Sequence, residues 1–114
     1  MTGVQKINNL DQFEDKSLLI VDDDNPFRER LARAMEKKGF IVFQAEGVKK
    51  GIELVKQKIP AFAVIDLRLG DGSGLEVVKE IQILNSKSRV IMLTGYGNIP
   101  TAVAAIKQGA IDYL

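Results

Sequence analysis

Three short apolar runs in this chain each end in a side chain that carries oxygen. Leu18-Leu19-Ile20-Val21 runs into Asp22-Asp23-Asp24, Ala61-Phe62-Ala63-Val64-Ile65 into Asp66, and Arg89-Val90-Ile91-Met92-Leu93 into Thr94-Gly95. Stretches of helical period separate these runs. Strand-length runs that alternate with helices describe repeated βα units and a parallel sheet. Such a sheet is buried on both faces, which is why its strands read as unbroken apolar runs rather than alternating ones. The C-terminal tips of its strands line one edge, and that edge is where folds of this kind place their chemistry.

The strands and helices follow in order. The first strand covers about Ser17 to Asp22. The first helix starts at Asp24 or Asn25 as N-cap, with Pro26 in its first turn. Its apolar face is Phe27, Leu31, Ala34 and Met35, and Gly39 ends it. A second strand, Phe40 to Ala45, leads to a helix from about Gly47 to Lys58 that buries Val48, Ile52 and Val55 and is broken at Pro60. After the third strand a helix starts near Ser73 or Gly74 and buries Val77, Val78, Ile81 and Leu84. The fourth strand is about Arg89 to Thr94. A fourth helix runs from around Pro100 to Gly109, burying Ile99, Ala102, Val103 and Ile106. A fifth strand opens at Ala110-Ile111-Asp112-Tyr113-Leu114, where the sequence stops. The expected organisation is a flexible N-terminal arm over 1–16 and one α/β domain over 17–114, cut short at strand five with helix five missing. That end predicts an exposed apolar face and self-association of the 114-residue form, as a homodimer or otherwise.

Composition removes several function classes. With 114 residues the chain supports one core. No apolar run approaches the roughly 18 residues of a membrane span, and the N-terminus has no apolar h-region. No membrane association is expected, and the cytoplasm is the expected location. There are no cysteines, hence no disulfide or thiol chemistry, and no histidines, hence no Ser-His-Asp triad, His-based zinc site or internal phosphohistidine. A net charge of +1 is too balanced for a nucleic-acid surface.

If the first and third strands are neighbours, as in the flavodoxin-like order 2-1-3-4-5, their tips lie about 4.8 Å apart. Asp22, Asp23 and Asp66 then crowd one pocket. Like-charge repulsion would raise at least one pKa, and a divalent cation relieves it. All-oxygen ligands favour Mg²⁺ or Mn²⁺ over zinc or copper. Asp66 can then attack an activated phosphoryl group as an ionised carboxylate. Thr94 stands where its hydroxyl can meet the phosphoryl oxygens, and Gly95 leaves room for that group to enter. Plainer roles compete: Asp24 or Asn25 as a helix cap, Asp71-Gly72 as turn chemistry, Arg28 in a surface ion pair, and Ala102-Val103-Ala104-Ala105-Ile106 as good helix formers.

The whole set resembles a two-component response regulator receiver domain. The motifs are Leu18-Leu19-Ile20-Val21-Asp22-Asp23 with Arg28 behind, Val64-Ile65-Asp66-Leu67-Arg68-Leu69 with Gly74-Leu75, Val90-Ile91-Met92-Leu93-Thr94-Gly95, and Gly109-Ala110 followed by Asp112-Tyr113-Leu114. Asp22 to Phe40, Ala63 to Gly74 and Leu93 to Leu114 look closer still to the redox-responsive regulators of the RegA/PrrA/ActR type. The resemblance implies that Asp66 accepts phosphate from a sensor histidine kinase. It implies that Asp23 and Asp66 ligate Mg²⁺ by side chain and Arg68 by its backbone carbonyl, with Asp22 assisting through water. It gives Thr94 a bond to the phosphoryl group and makes Tyr113 a switch aromatic. The surface of helix four and strand five would then act on an effector, a C-terminal DNA-binding transcription-regulation domain absent here. Such a chain assists its own phosphorylation and dephosphorylation but turns over no outside substrate, so it is not an enzyme in the usual sense. Arg68 and Tyr96 flank the pocket and can shield a phosphoaspartate from water.

Two departures stand out. The lysine that receivers carry shortly after the aromatic has no counterpart here, since its place falls just beyond Leu114. Gly70 stands where many receivers have proline. The competing readings are a pseudo-receiver that binds or dimerises without being phosphorylated, and a small aspartyl-phosphate phosphatase. The second would want an acid where Arg68 stands. A flavin carrier would need a phosphate cradle where Asp22-Asp23-Asp24 repels one.

Overall fold

The computed structural model describes residues 15–93 and, as a short strand, the backbone of 112–113. Strand β1 (Ser17–Val21) leads to helix α1 (Asn25–Lys37), β2 (Ile41–Ala45), α2 (Val48–Gln57) and β3 (Phe62–Asp66). Then come β4 (Arg68–Leu69), β5 (Gly72–Ser73), α3 (Gly74–Leu84), β6 (Arg89–Leu93) and β7 (Asp112–Tyr113). The main sheet is parallel throughout, in the order β2-β1-β3-β6-β7. This is the expected 2-1-3-4-5 arrangement, with β6 and β7 as the fourth and fifth strands. The stretch after Asp66 folds into a two-stranded antiparallel ribbon of β4 and β5.

Alternation along each strand fills two cores. Leu18, Ile20, Phe62, Val64, Ile91 and Leu93 face α1, where they join Phe27, Leu31 and Met35. Leu19, Val21, Ala63, Ile65, Val90 and Met92 face the other way, with Val48 and Val55 of α2 and Val77 and Ile81 of α3. The sheet residues on the α1 side are thus enclosed in one cluster. The apolar face expected where a fifth helix would follow β7 lies outside the described residues.

Local signals set the helix ends. Asp24 caps α1, its carboxylate accepting from the Phe27 N–H at 3.0 Å. At the other end Gly39, at φ 103°, lets the chain turn back. Its N–H donates to the Glu36 carbonyl, and the Phe40 N–H to that of Met35. This is a Schellman closure, with Phe40 and Met35 sharing the core beneath it. Ser73 caps α3 in a reciprocal box with Glu76.

The buried stripes differ from expectation in places. On α1, Ala32 is buried rather than Ala34, because the stripe turns to include Arg28. On α3, Leu84 continues the stripe of Val77 and Ile81 but is the last residue of the helix, and it is 42% exposed. Ile52 and Val78 are half-buried. The end of the predicted arm belongs to the fold: the Lys16 carbonyl accepts from Ile41, and Asp15 pairs with Lys58 at 3.7 Å. The fourth helix, expected from Pro100 to Gly109, lies outside the described residues. Among the described residues, no helix is long and apolar enough to cross a membrane.

Candidate functional site

Sheet register builds the site. Val21 lies opposite Ile65, so Asp22 and Asp66, each one residue further on, emerge side by side at the sheet edge. Asp23 follows, and one carboxylate oxygen from each of Asp22, Asp23 and Asp66 falls within 4.8 Å of the others. Asp22 is buried, at 5% exposure, Asp66 is half-buried and Asp23 is exposed. The cluster therefore has a dry floor and an open mouth.

Its electrostatics follow from this placement. Burial pushes the Asp22 carboxyl up to about 6, and the charges of Asp66, Asp23 and Asp24 add to the rise. Only the Asp24 N–H, donating to Asp22 Oδ1 at 2.8 Å, opposes it. Burial also raises Asp66, with Asp23 adding, against the Arg68 N–H, which donates to Asp66 Oδ1 at 3.2 Å. Among the described residues, the Arg68 charge favours ionised Asp66 but does not offset the burial and repulsion that raise it. The hard oxygen donors of the three carboxylates match a divalent cation that keeps part of its water shell.

The backbone around Asp66 is tightly held. The Leu67 N–H donates to Leu93 and the Gly74 N–H to Leu67, both at 2.9 Å. Gly74 packs directly on the Asp66 carbonyl, and a Cβ there would collide with it and come within 2.8 Å of Ile65 Cγ2. The ribbon that follows turns at Gly70-Asp71, and Gly70 stands close to Asp23, 3.8 Å separating a Cβ position on it from Asp23 Oδ2.

Beneath the cluster lies Arg28, expected in a surface ion pair and found only 8% exposed. Its guanidinium donates to the Asp22 carbonyl at 2.8 Å, Asn25 Oδ1 at 2.7 Å and Gln44 Oε1 at 3.1 Å. None of these is a carboxylate. Arg28 is pulled inward because α1 starts over the end of β1, where a backbone carbonyl needs a donor.

The other expected residues are only partly visible. Arg68 opens β4 with an exposed side chain. Tyr113 falls on β7 beside Met92, its side chain outside the description. Thr94, Gly95 and Tyr96 lie outside the described residues; Leu93, just before Thr94, is the register partner of Asp66. Sequence reasoning missed what Asp71 does. Its carboxylate accepts from the N–H groups of Val48 and Lys49, at 2.8 and 3.1 Å, across to the first turn of α2. An Asp-Gly pair announces a turn, but nothing local announces that partner.

The relatives agree with the geometry. Residues 18–114 match the response regulator receiver domain. The chain is 62% identical over 100 residues to the acid tolerance regulatory protein ActR of Sinorhizobium medicae (strain WSM419), covering 88% of this chain and 52% of that protein. It is 59% identical over 100 residues to the photosynthetic apparatus regulatory protein RegA of Rhodobacter capsulatus, covering 88% and 54%. It thus spans about half the length of these curated relatives. A crystal structure of a response regulator from Burkholderia pseudomallei, with a phosphorylated aspartic acid, a calcium ion and citrate, superposes with a TM-score of 0.71 at 39% identity. That match covers 88% of this chain and 59% of that one. The chain belongs to the response regulator receiver domain family.

Proposed function

We propose that this domain is a Mg²⁺-dependent phosphoacceptor switch, phosphorylated on Asp66 by a sensor histidine kinase. The observation that carries this reading is the gathering of the Asp22, Asp23 and Asp66 oxygens within 4.8 Å at the sheet edge. The phosphorylated aspartic acid and the calcium ion of the Burkholderia pseudomallei regulator support it by likeness.

In the proposed step an Asp66 carboxylate oxygen attacks the phosphorus of a phosphohistidine. The new O–P bond forms as the P–N bond breaks, and the electron pair leaves on the imidazole. Asp23 and Asp66, with the Arg68 carbonyl and Asp22 through water, would hold the cation, whose charge would offset that of the phosphoryl oxygens. Asp66 has to be ionised to attack, although burial and Asp23 both disfavour its charge. The Arg68 N–H works in the opposite sense and fixes one carboxylate oxygen. Thr94 contributes its hydroxyl to the phosphoryl group, and Tyr113 reports its presence to the surface of β7. That surface acts on a DNA-binding effector domain. The domain assists its own phosphorylation and hydrolysis and turns over no outside substrate.

Intact-mass spectrometry after incubation with acetyl phosphate and Mg²⁺ tests the reading. A single phosphoryl adduct is expected, abolished by EDTA and by Asp66→Asn. The absence of an adduct in the wild-type chain would favour a binding module that is never phosphorylated.

A further inference from the structure

Helix α2 begins without a cap of its own. Its N-cap is Gly47, in extended backbone, which has no side chain to offer the first-turn N–H groups. Those donors are satisfied from the ribbon 23 residues away, where both Asp71 oxygens accept, one from Val48 and one from Lys49. Gly47 looks fitted to this arrangement, because a Cβ there would stand 2.7 Å from Asp71 Oδ1. The carboxylate also sits at the positive end of the helix, and the two N–H groups hold it below the usual carboxylate range.

The ribbon carrying Asp71 is short, two residues on each side. Arg68 pairs with Ser73 and Leu69 with Gly72, leaving Gly70-Asp71 as the turn. Leu69 is buried among the α2-side core residues, Val48 included. On one flank of the turn Asp71 grips α2; on the other, Gly70 lies close to Asp23 Oδ2. The same ribbon begins at Arg68, whose N–H fixes Asp66. One clamp on α2 thus sets the position of the segment that leaves Asp66 and returns past Asp23.

We infer that Asp71 is a positioning residue: by clamping the ribbon turn to α2 it holds the Arg68 backbone and the Asp66 carboxylate in register with Asp23. This inference rests on the metal-binding reading above. A purely structural alternative exists, in which Asp71 merely caps α2 and stabilises the fold.

A substitution at Gly47 separates the two. In an Asp71→Ala background the obstruction at Gly47 is gone, and Gly47→Ser can supply an N-cap from α2's own strand-like residue. That variant restores the cap without restoring the clamp. Mg²⁺ affinity is read by titration calorimetry, folding by thermal melting, and ribbon order by amide exchange at Leu67 and Gly74. Asp71→Ala is expected to weaken Mg²⁺ binding about tenfold and to speed exchange at both amides. Adding Gly47→Ser should recover melting temperature but neither Mg²⁺ affinity nor protection. Asp71→Asn keeps one acceptor and should fall between wild type and Asp71→Ala, which also serves if the alanine variant fails to fold. The inference is overturned if Asp71→Ala and Asp71→Asn bind Mg²⁺ within about twofold of wild type, or if Gly47→Ser recovers affinity together with stability. A wild-type chain that takes up no Mg²⁺ overturns the metal-binding reading itself, and is told apart because the loss then precedes any substitution.

Discussion

Gly74 opens α3 directly against the backbone carbonyl of Asp66, with no space for a side chain between them. The helix can come this close only because its first residue lacks a Cβ, and the approach places the Gly74 N–H 2.9 Å from the Leu67 carbonyl. Helix propensity alone would make Gly74→Ala stabilising by about 1 kcal/mol. The obstruction is backbone and cannot rotate away, so Gly74→Ala is expected to cost about 2–4 kcal/mol and to slow phosphorylation of Asp66. Gly51 is the control. A Cβ there meets only Val21 and Val77 methyl groups at 3.3 Å, so Gly51→Ala should fall within about 1 kcal/mol of wild type. Urea midpoints at unchanged slope would decide, and equal costs at the two glycines would refute the argument.

Arg28 is expected to matter for stability rather than for chemistry. Its three bonds go to oxygens of Asp22, Asn25 and Gln44, and together they tie the start of α1 to β1 and β2. Arg28→Ala leaves the buried Asp22 carbonyl without this donor and should cost about 2–3 kcal/mol. Arg28→Lys keeps the charge but not the planar fork, so it should recover less than half of that loss. Chemical denaturation measures both. A lysine variant as stable as wild type would mean that charge, not the three-way bonding, holds α1 in place.

How far the sequence could be read depends on how local each cause is. β1 and β3 are buried on both faces, so their apolar runs were visible as strands, and the βα alternation then fixed the parallel order. Asp24 and Gly39 act within a few residues of themselves, and their roles at the ends of α1 were visible too, whereas Ser73 was read only as one of two possible helix starts. Gathering Asp22, Asp23 and Asp66 required only the neighbouring of β1 and β3. The missed features all depend on partners distant in sequence. Asp71 reads as a turn residue until α2 is seen beside it. Arg28 reads as a surface cation until Gln44 and the Asp22 carbonyl are in place. Leu84 fits the helical period of α3 but, as the helix's last residue, is left 42% exposed.

Asp22 should make stability depend on pH in an unusual sense. Its folded-state pKa, about 6, lies above the ordinary 3.8. The folded chain therefore holds this proton more tightly than the unfolded chain. Its stabilising contribution is full below about 3.8 and is lost as pH rises through about 6. Asn at this position does not titrate and can still accept from the Asp24 N–H through Oδ1. In EDTA at pH 7, Asp22→Asn is expected to be more stable than wild type by about 1–2 kcal/mol, after allowance for solvent screening. The difference should shrink as pH falls from 7 towards 4.5. Urea denaturation of the two proteins across that range checks the sign; a gap that widened on acidification would contradict it.

The same repulsion predicts how the fold responds to cations. A ligand that binds only the folded chain stabilises it by mass action, about 1.4 kcal/mol at a free concentration ten times its dissociation constant. The Asp22, Asp23 and Asp66 oxygens converge only when β1 and β3 pair, so the unfolded chain offers no comparable site. Mg²⁺ should therefore raise the melting temperature of the wild type in a saturable way, and EDTA should return it to baseline. Asp23→Asn, which removes the exposed carboxylate at the mouth of the cluster, should abolish most of that rise. Asp22→Asn should retain part of it, because the proposed site uses Asp22 only through water and its neutralisation already relieves some of the repulsion. Sodium chloride at matched ionic strength is the control for screening, which weakens like-charge repulsion without a specific site. A melting temperature that responded equally to both salts would locate the effect in screening and remove the case for a bound divalent ion.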